Sequence, residues 1–348
     1  MSKRVSALMV CSDAAACIAA VIPVPVIEHF LDDYNRNGRY TAFPTLGLEW
    51  QKLENPSLRR ALGVPPTEKG VLIRHVEATS DAARVLRKGD VLLSFDGHAV
   101  AADGTVAFRV GERIGFSHLV SSKFAGDAAE LRVWQAGAAR TVRVTLGAPK
   151  RLVPVHTAGA PPSYYIMGGL VFTPVCVPYL RSEYGQHYDF DAPVKLLDKM
   201  LHGHAEAPDS QLVVLSQVLA ADVNLGYEDT VNVAVVAVNG TPVRNLRHLV
   251  SLVEGCAEPF LRFDLDYHTL LILDAAAARA ATPAILETHS IARQASADLA
   301  DALAGGDGAA GKAAGKRKAG EAAAPAAAEA GGAEEAEAAA APAPRRRR

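Results

Sequence analysis

The sequence predicts an α+β chain, mainly β, with two partly open β-barrels or sandwiches, capping helices and a disordered C-terminal tail. Short β-branched segments separated by glycine and turn dipeptides occur in both halves of the 348 residues, and such spacing is typical of β-rich domains. Beyond Ser296 the chain becomes rich in Ala, Gly, Glu and Pro and almost free of branched apolar residues. A segment of that composition cannot offset the entropy of ordering, so a tail is expected over 296–348.

The amino-acid composition excludes few classes of binding partner. The length allows roughly two domains, and the net charge of -2 favours neither nucleic acid nor an anionic membrane. None of the four cysteines stands in a C-x-x-C motif, which favours a reducing compartment. The first residues have a basic start and an apolar stretch, but Asp13 interrupts it. Neither a secretion signal nor a membrane span is therefore expected.

The first 40 residues contain one predicted helix. Pro23 and Pro25 exclude a helix before them. An apolar set then recurs at helical spacing and predicts one apolar helix face, made of Val26, Ile27, Phe30, Leu31 and Tyr34.

Residues 41–147 read as one domain. Asn55-Pro56 begins a short helix, and the apolar runs Val71–Val76 and Val91–Phe95 predict strands. Ser80 is expected to cap a helix that ends at Gly89. After the Asp96-Gly97 turn we expect a long connection over 101–113, a helix over 115–124, and a final hairpin over 131–146.

Residues 148–161 are rich in proline and read as a linker, and 162–295 repeat the strand and turn pattern. Val238-Asn239-Gly240 parallels Phe95-Asp96-Gly97, and the segment near 275–291 predicts a helical cap. An insertion over 181–203 has a polar, aromatic first half and an amphipathic second half. It reads either as a partner contact or as a surface elaboration that closes its own small cluster, and the second interpretation is preferred.

The order of elements over Gly70–Gly97, preceded by Leu46-Gly47-Leu48, resembles a PDZ domain, and in particular those of the Do-like (Deg/HtrA) serine proteases. In that family such a glycine loop turns backbone amides toward a peptide carboxylate, and the next strand adds the peptide by main-chain hydrogen bonds. The resemblance predicts a groove in the first domain, although its apolar members are also plausible core residues. The predicted groove residues are Leu46, Gly47, Leu48, Glu49, Trp50, Phe116, Leu119 and Val120. A second such loop is predicted at Gly169, Leu170 and Val171.

Longer strings are similar to the plant and algal nuclear-type Do-like proteases. They include IPVPVIEHFLDDY, LGLEWQKLENPSLRRALG, FRVGERIGFSHLVSSK and PPSYYIMGGLVFTPV, and the similarity covers roughly residues 21–291. The resemblance implies an ATP-independent serine endopeptidase family that forms oligomers. Residues 1–40 then correspond to the end of a protease domain and a linker helix. The sequence has no G-N-S-G-G or G-x-S-x-G string, so no catalytic residue is predicted.

Other candidate sites are weak. Ser117 and His118 are neighbours on a predicted helix and point to different faces. His202 and His204 lack further ligands at useful spacing, so no metal and no cofactor are predicted. Glu183, Asp189 and Asp191 lie in a polar loop and read as solvated carboxylates.

The sequence therefore predicts a peptide-binding and assembly region of a Do-like serine endopeptidase, non-catalytic in this chain. Two alternatives remain: a fragment of an active endopeptidase, or a regulatory subunit of its oligomer. The expected partners are peptides or unfolded protein segments, and a homo-oligomer or a hetero-assembly with an intact relative. Neither specific nucleic acid nor membrane is expected. Lys316-Arg317-Lys318 and Arg345–Arg348 suggest the nucleus, with cytoplasm or chloroplast as alternatives.

Overall fold

The computed structural model describes residues 7–13 and 18–304. The strands β1 (Ala7–Asp13) and β2 (Ile18–Pro23) form an antiparallel pair, and the helix α1 (Val24–Asn37) follows at once. Pro25 suits the first turn of α1, where no backbone donor is needed. The helix ends at Gly38, which has a φ of 65°.

The first half of the chain forms a six-stranded antiparallel sheet with the order β10-β9-β5-β4-β3 and with β6 paired to β5. A separate hairpin is made by β7 and β8. The elements are β3 (Leu48–Lys52), α2 (Pro56–Ala61), β4 (Val71–Val76), β5 (Val91–Phe95), β6 (His98–Ala99), β7 (Thr105–Arg109), β8 (Glu112–Gly115), α3 (Ser117–Ser121), β9 (Ala128–Gln135) and β10 (Ala138–Thr145).

The second half forms a seven-stranded antiparallel sheet with the order β11-β12-β13-β14-β16-β17 and with β15 paired to β14. The elements are β11 (Tyr165–Met167), β12 (Leu170–Pro174), α4 (Val177–Tyr184), α5 (Tyr188–Asp191), α6 (Val194–His202), β13 (Val213–Val218), β14 (Val233–Val238), β15 (Thr241–Pro242), α7 (Leu246–Glu254), β16 (Phe260–Leu265), β17 (Leu270–Asp274), α8 (Ala275–Thr288) and α9 (Ala300–Ala304).

Each sheet has its own apolar core. In the first, inward-facing residues of β4, β5 and β9, such as Ile73, Phe95 and Leu131, are fully buried. In the second, the ring of Phe172 stacks on that of Phe263 with centroids 5.1 Å apart. Alternation of buried and exposed residues along β9 and β16 supplies these inner faces.

The prediction of a mainly β chain with open sheets is confirmed, since in the described ranges the sheets are antiparallel and none closes into a barrel. The insertion helices α4 and α6 pack Leu180 and Leu196 against Val214 and Ala234. The insertion therefore contributes to a separate small cluster with residues of the second sheet, while Phe190, Val194 and Leu201 remain exposed. Among the helices of the described residues, none combines the length and apolarity needed to cross a bilayer.

Several local expectations were wrong. Residues Asp81–Arg84 form a 3₁₀ turn, and the Ser80 hydroxyl donates to the Glu77 carbonyl at 2.7 Å instead of capping a helix. The Gly89 amide already donates to the Ile73 carbonyl at 2.9 Å, so the chain returns to the sheet before an α-helix can form. The expected connection over 101–113 contains the β7–β8 hairpin, because Gly111, with a φ of 79°, permits a tight turn.

The predicted apolar face of α1 does not face the core. Phe30, Leu31 and Tyr34 are 43%, 52% and 53% exposed, whereas His29 and Asp33 are buried. The predicted tail also begins later than residue 296, because Leu299 is buried in the second core. The rest of the predicted tail, from residue 305, lies outside the described residues.

Candidate peptide-binding groove

Gly47, in the loop predicted to face a peptide carboxylate, has a backbone conformation that favours glycine. Its φ is 67°, its amide donates to the Thr45 hydroxyl at 3.0 Å, and its carbonyl accepts from the Glu77 amide at 2.8 Å. A Cβ atom at this position would lie 2.4 Å from the Cβ of Ser80. The loop is therefore packed against the turn at Ser80, and a ligand carboxylate at the Gly47 amide would replace the Thr45 hydroxyl.

The strand β3, which follows this loop, lies at the edge of the first sheet. In the part of the chain that the structure describes, β4 is its one ladder partner. The register shifts between Glu49 and Trp50. Just beyond β3, the Leu53 amide donates to the Ala102 carbonyl at 2.8 Å, so the open edge ends there. An open edge of this kind can accept an added strand.

The wall opposite β3 is formed by α3 and the residue before it. Phe116 and Val120 are buried, and they share one apolar cluster with Leu46, Leu48, Trp50 and Leu119. The rings of Trp50 and Phe116 have centroids 5.4 Å apart. Gly104 provides room for the Trp50 ring, because a Cβ atom there would lie 2.3 Å from its Cη2. The structure thus brings seven of the eight predicted groove residues together.

Glu49 is the exception among those eight residues. Its carboxylate lies 3.2 Å from the Arg74 guanidinium and 3.4 Å from the His204 imidazole. Successive side chains of a strand point to opposite faces, so Glu49 is directed away from Leu48. Its role is therefore a contact between the first sheet and the segment after α6.

The second predicted loop, at Gly169, is closed by the chain itself. The strand β12 is paired with β11 on one side and with β13 on the other. The Gly168 amide donates to the Thr282 hydroxyl at 2.9 Å, and the Gly168 carbonyl accepts from the Asn224 amide group at 2.7 Å. The strand containing Leu170 and Val171 consequently has no open edge in this conformation.

The remaining candidate residues make separate contacts. The His118 ring lies edge-on to Phe108, and His204 stacks on His75. Glu183 accepts a hydrogen bond from Asn232 at 3.2 Å, in keeping with its assignment as a surface carboxylate. Within residues 7–13 and 18–304, no group of three or more His, Cys, Asp or Glu side chains is arranged to hold a metal ion.

Three features of the site were not predicted from the sequence. They are the Thr45 hydroxyl at the loop amide, the contact of Glu49 with His204, and the pairing of β11 with β12. A threonine two residues before the loop glycine is the only sequence signal for the first. The other two join residues distant along the chain, and a periodic pattern does not identify such partners.

Comparison with known proteins gives a PDZ match in the second half of the chain, outside the residues of the proposed groove. A PDZ domain model matches residues 153–298. The chain is 46% identical over 288 residues to "Protease Do-like 2, chloroplastic" of Arabidopsis thaliana, covering 83% of this chain and 47% of that protein. It is 38% identical over 274 residues to "Protease Do-like 4, mitochondrial" of the same plant, covering 79% and 50%. The chain spans about half the length of the curated relatives it matches.

A solved structure of an HtrA-type protease AlgW with a decapeptide is 22% identical, with a TM-score of 0.31, and covers 41% of this chain and 42% of that chain. The names of the two plant relatives place those proteins in the chloroplast and the mitochondrion. The prediction of a nuclear location, made from the basic clusters, therefore has no support from these relatives.

Proposed function

We propose that this chain is the peptide-binding and assembly region of a Do-like serine endopeptidase, because it is similar to a Do-like protease over 83% of its length and a PDZ domain model matches residues 153–298. The proposed parts are 1–40, the end of a protease domain with a linker helix; 41–147, a first PDZ domain; and 148–161, a linker. They are followed by a diverged second PDZ-like domain from residue 162, which extends past the predicted end at 295 to include the buried Leu299, and then by a tail.

One observation carries the proposal of peptide binding. The strand β3 has an open edge beside a positive-φ glycine loop and opposite an apolar wall at Phe116. An extended peptide added to β3 would place its C-terminal carboxylate at Gly47 and its last side chain against Leu48 and Val120. The equivalent strand of the second sheet is covered by β11. The first groove is therefore the proposed site of capture.

Binding is tested with peptides that have a free C-terminal carboxylate and an apolar last residue, titrated against the full chain by fluorescence anisotropy. We expect micromolar to millimolar dissociation constants, on the order of those of small interfaces. The same peptides with an amidated C-terminus should bind at least about tenfold more weakly, since the charge-assisted bonds to the loop are lost. Equal binding of the free and amidated peptides would refute the proposed groove.

The proposal that this chain does not cut peptides has its own test. Unfolded casein incubated with the purified chain should release no peptides, and a fluorophosphonate probe should label no serine. Labelling of one serine would favour the alternative of an active endopeptidase fragment. The alternative of a regulatory subunit predicts that this chain, added to an intact Do-like protease, changes the casein cleavage rate.

For assembly and cellular location we propose only the type of association and the type of compartment. We propose self-association or association with an intact relative, measured by light scattering of the chain alone and mixed with that protease. The relatives' names favour an organelle, with the chloroplast first. Imaging of the fluorescently tagged full-length protein tests that location.

A further inference from the structure

A cavity of about 460 Å³ lies beside the far end of the proposed groove. Three of its lining residues are basic: Lys69, His98 and Arg113. The others are small or apolar, Ala99–Ala101 and Ala107. Since the lining includes no carboxylate, the cavity favours an anionic group at its mouth.

One backbone hydrogen bond joins the residue after β3 to the residue after Ala101 of the cavity lining, and a second fixes Ala101 itself. The Leu53 amide donates to the Ala102 carbonyl, and the Ala101 amide donates to the Thr105 carbonyl, each at 2.8 Å. Residues 101–102 therefore join the end of the open strand edge to the lining of the cavity. A peptide that extends along β3 beyond Lys52 would therefore pass close to Ala101 and Ala102.

The Arg113 guanidinium is held in position by its neighbours. Its Nε donates to the Thr105 hydroxyl at 2.7 Å and one terminal nitrogen donates to the Thr105 carbonyl at 2.9 Å. The carboxylate of Asp103 accepts hydrogen bonds from the Thr105 amide and hydroxyl, and these bonds, together with the nearby Arg113 charge, lower the pKa of Asp103. Arg113 retains donors for a ligand, and Lys69 is exposed beside it.

The direction in which a peptide would add to β3 brings its N-terminal residues toward the cavity. With its carboxylate at Gly47, a peptide antiparallel to β3 runs back along the five residues of that strand. Residues about six to eight positions before its C-terminus then lie near Ala101 and the basic cavity, at about 3.3 Å per residue.

We infer that Lys69, His98 and Arg113 form a subsite for acidic side chains on the N-terminal side of a captured peptide. The inference rests on the proposed peptide-binding function and adds the class of peptide preferred. Exposed ion pairs each contribute little, so three aspartates should improve affinity only about fivefold at low salt.

Two decapeptides test the inference on the full chain. They share the last five residues and a neutral fluorophore, and they differ by Asp or Asn at three of the first five positions. The Asp peptide should bind about fivefold tighter, and added salt should remove the difference because exposed charges are screened. Lys69→Glu should abolish the preference while changing the affinity of the Asn peptide less than about twofold.

Arg140→Glu is the matched control, since it makes the same charge change at an exposed residue of β10 outside the cavity lining. It should leave the preference intact, and thermal unfolding of both variants checks their folding. Equal affinity of the Asp and Asn peptides for the unaltered chain overturns the subsite alone. Absence of binding by both peptides overturns the groove, and the subsite with it.

Discussion

The imidazole rings of His75 and His204 stack with centroids 3.9 Å apart and planes at 25°. His75 lies on β4 next to the groove strand, whereas His204 follows the insertion helix α6 and pairs with Arg151 of the linker region. His204 also contacts Glu49 of β3 at 3.4 Å. This stack therefore ties the groove strand to the second half of the chain.

Replacement of His204 tests the importance of this contact. His204→Ala removes the ring stacking and the Glu49 contact, so the free energy of unfolding should fall by about 1 kcal/mol. Limited proteolysis within residues 148–161 should also become faster, because the linker loses an anchor. His202→Ala, at an exposed position on α6, is the control and should leave both measurements unchanged. An identical response of the two variants would count against a special role for the stack.

Gly47 and Gly63 form a matched pair for testing the loop. Both have left-handed backbones, with φ of 67° and 64°, but a Cβ atom at Gly47 would meet Ser80 whereas one at Gly63 would meet nothing within 4 Å. Gly63→Ala should cost about 1 kcal/mol of unfolding free energy from backbone strain alone. Gly47→Ala should cost about 2 to 4 kcal/mol, because the clash adds to that strain.

Peptide affinity separates the two glycine variants further. Gly47→Ala should weaken binding of a C-terminal apolar peptide about tenfold or more, because the shifted loop no longer presents its amides to the carboxylate. Gly63→Ala should bind as the unaltered chain does. Chemical denaturation and fluorescence anisotropy supply the two measurements. Retention of full affinity in Gly47→Ala would place the carboxylate elsewhere.

Much of the secondary structure around the groove was predictable, because each strand or turn is indicated by its own local residue pattern. Apolar periodicity and turn residues predicted the strands containing Ile73 and Phe95, whereas the glycine loop at Gly47 was predicted from the resemblance to PDZ domains. These features depend on local backbone preferences, which a single sequence contains.

The docking of α1 was not predictable in the same way. Its apolar spacing predicted one apolar helix face, yet the contact is made by His29, whose ring lies between those of Phe43 and Phe124 with centroids 4.5 and 4.2 Å away. Hydrophobic periodicity shows which residues lie on the same face of a helix, but not which face packs against the rest of the protein. The pairing of β11 with β12 was not predicted either, because Tyr165–Met167 is too short to be identified as a strand from the sequence.

Asp33 should make stability depend on pH in the acid range. Its carboxylate accepts from the Thr41 amide and hydroxyl, at 2.5 and 2.6 Å, and these bonds lower the pKa of Asp33 below its ordinary value of 3.8. A lowered pKa means that the stabilisation is present above 3.8 and is lost as the pH falls through the lower folded value.

Thermal unfolding between about pH 6 and pH 2 measures this dependence. Asp33→Asn should flatten the decline of the unfolding temperature at acid pH, because the substituted side chain does not titrate. Asp32→Asn, at the adjacent exposed position of α1, should retain the decline of the unaltered chain. A profile for Asp33→Asn as steep as that of Asp32→Asn would contradict the role assigned to Asp33.

Comparing valine substitutions at Thr282 and Thr288 distinguishes the stability contributed by a buried hydrogen bond from that due to helix propensity. Both are on α8, and each hydroxyl donates to the carbonyl four residues earlier, at 2.7 and 2.9 Å. Only Thr282 is buried, and its oxygen also accepts from the Gly168 amide. Thr282→Val leaves that amide without its partner, so the unfolding free energy should fall by about 1 to 3 kcal/mol.

The control variant Thr288→Val should change the unfolding free energy by less than about 0.5 kcal/mol, the usual range for surface positions. Denaturant unfolding of both variants measures the difference, and equal losses would show that the closed loop at Gly168 contributes little to the second sheet's stability.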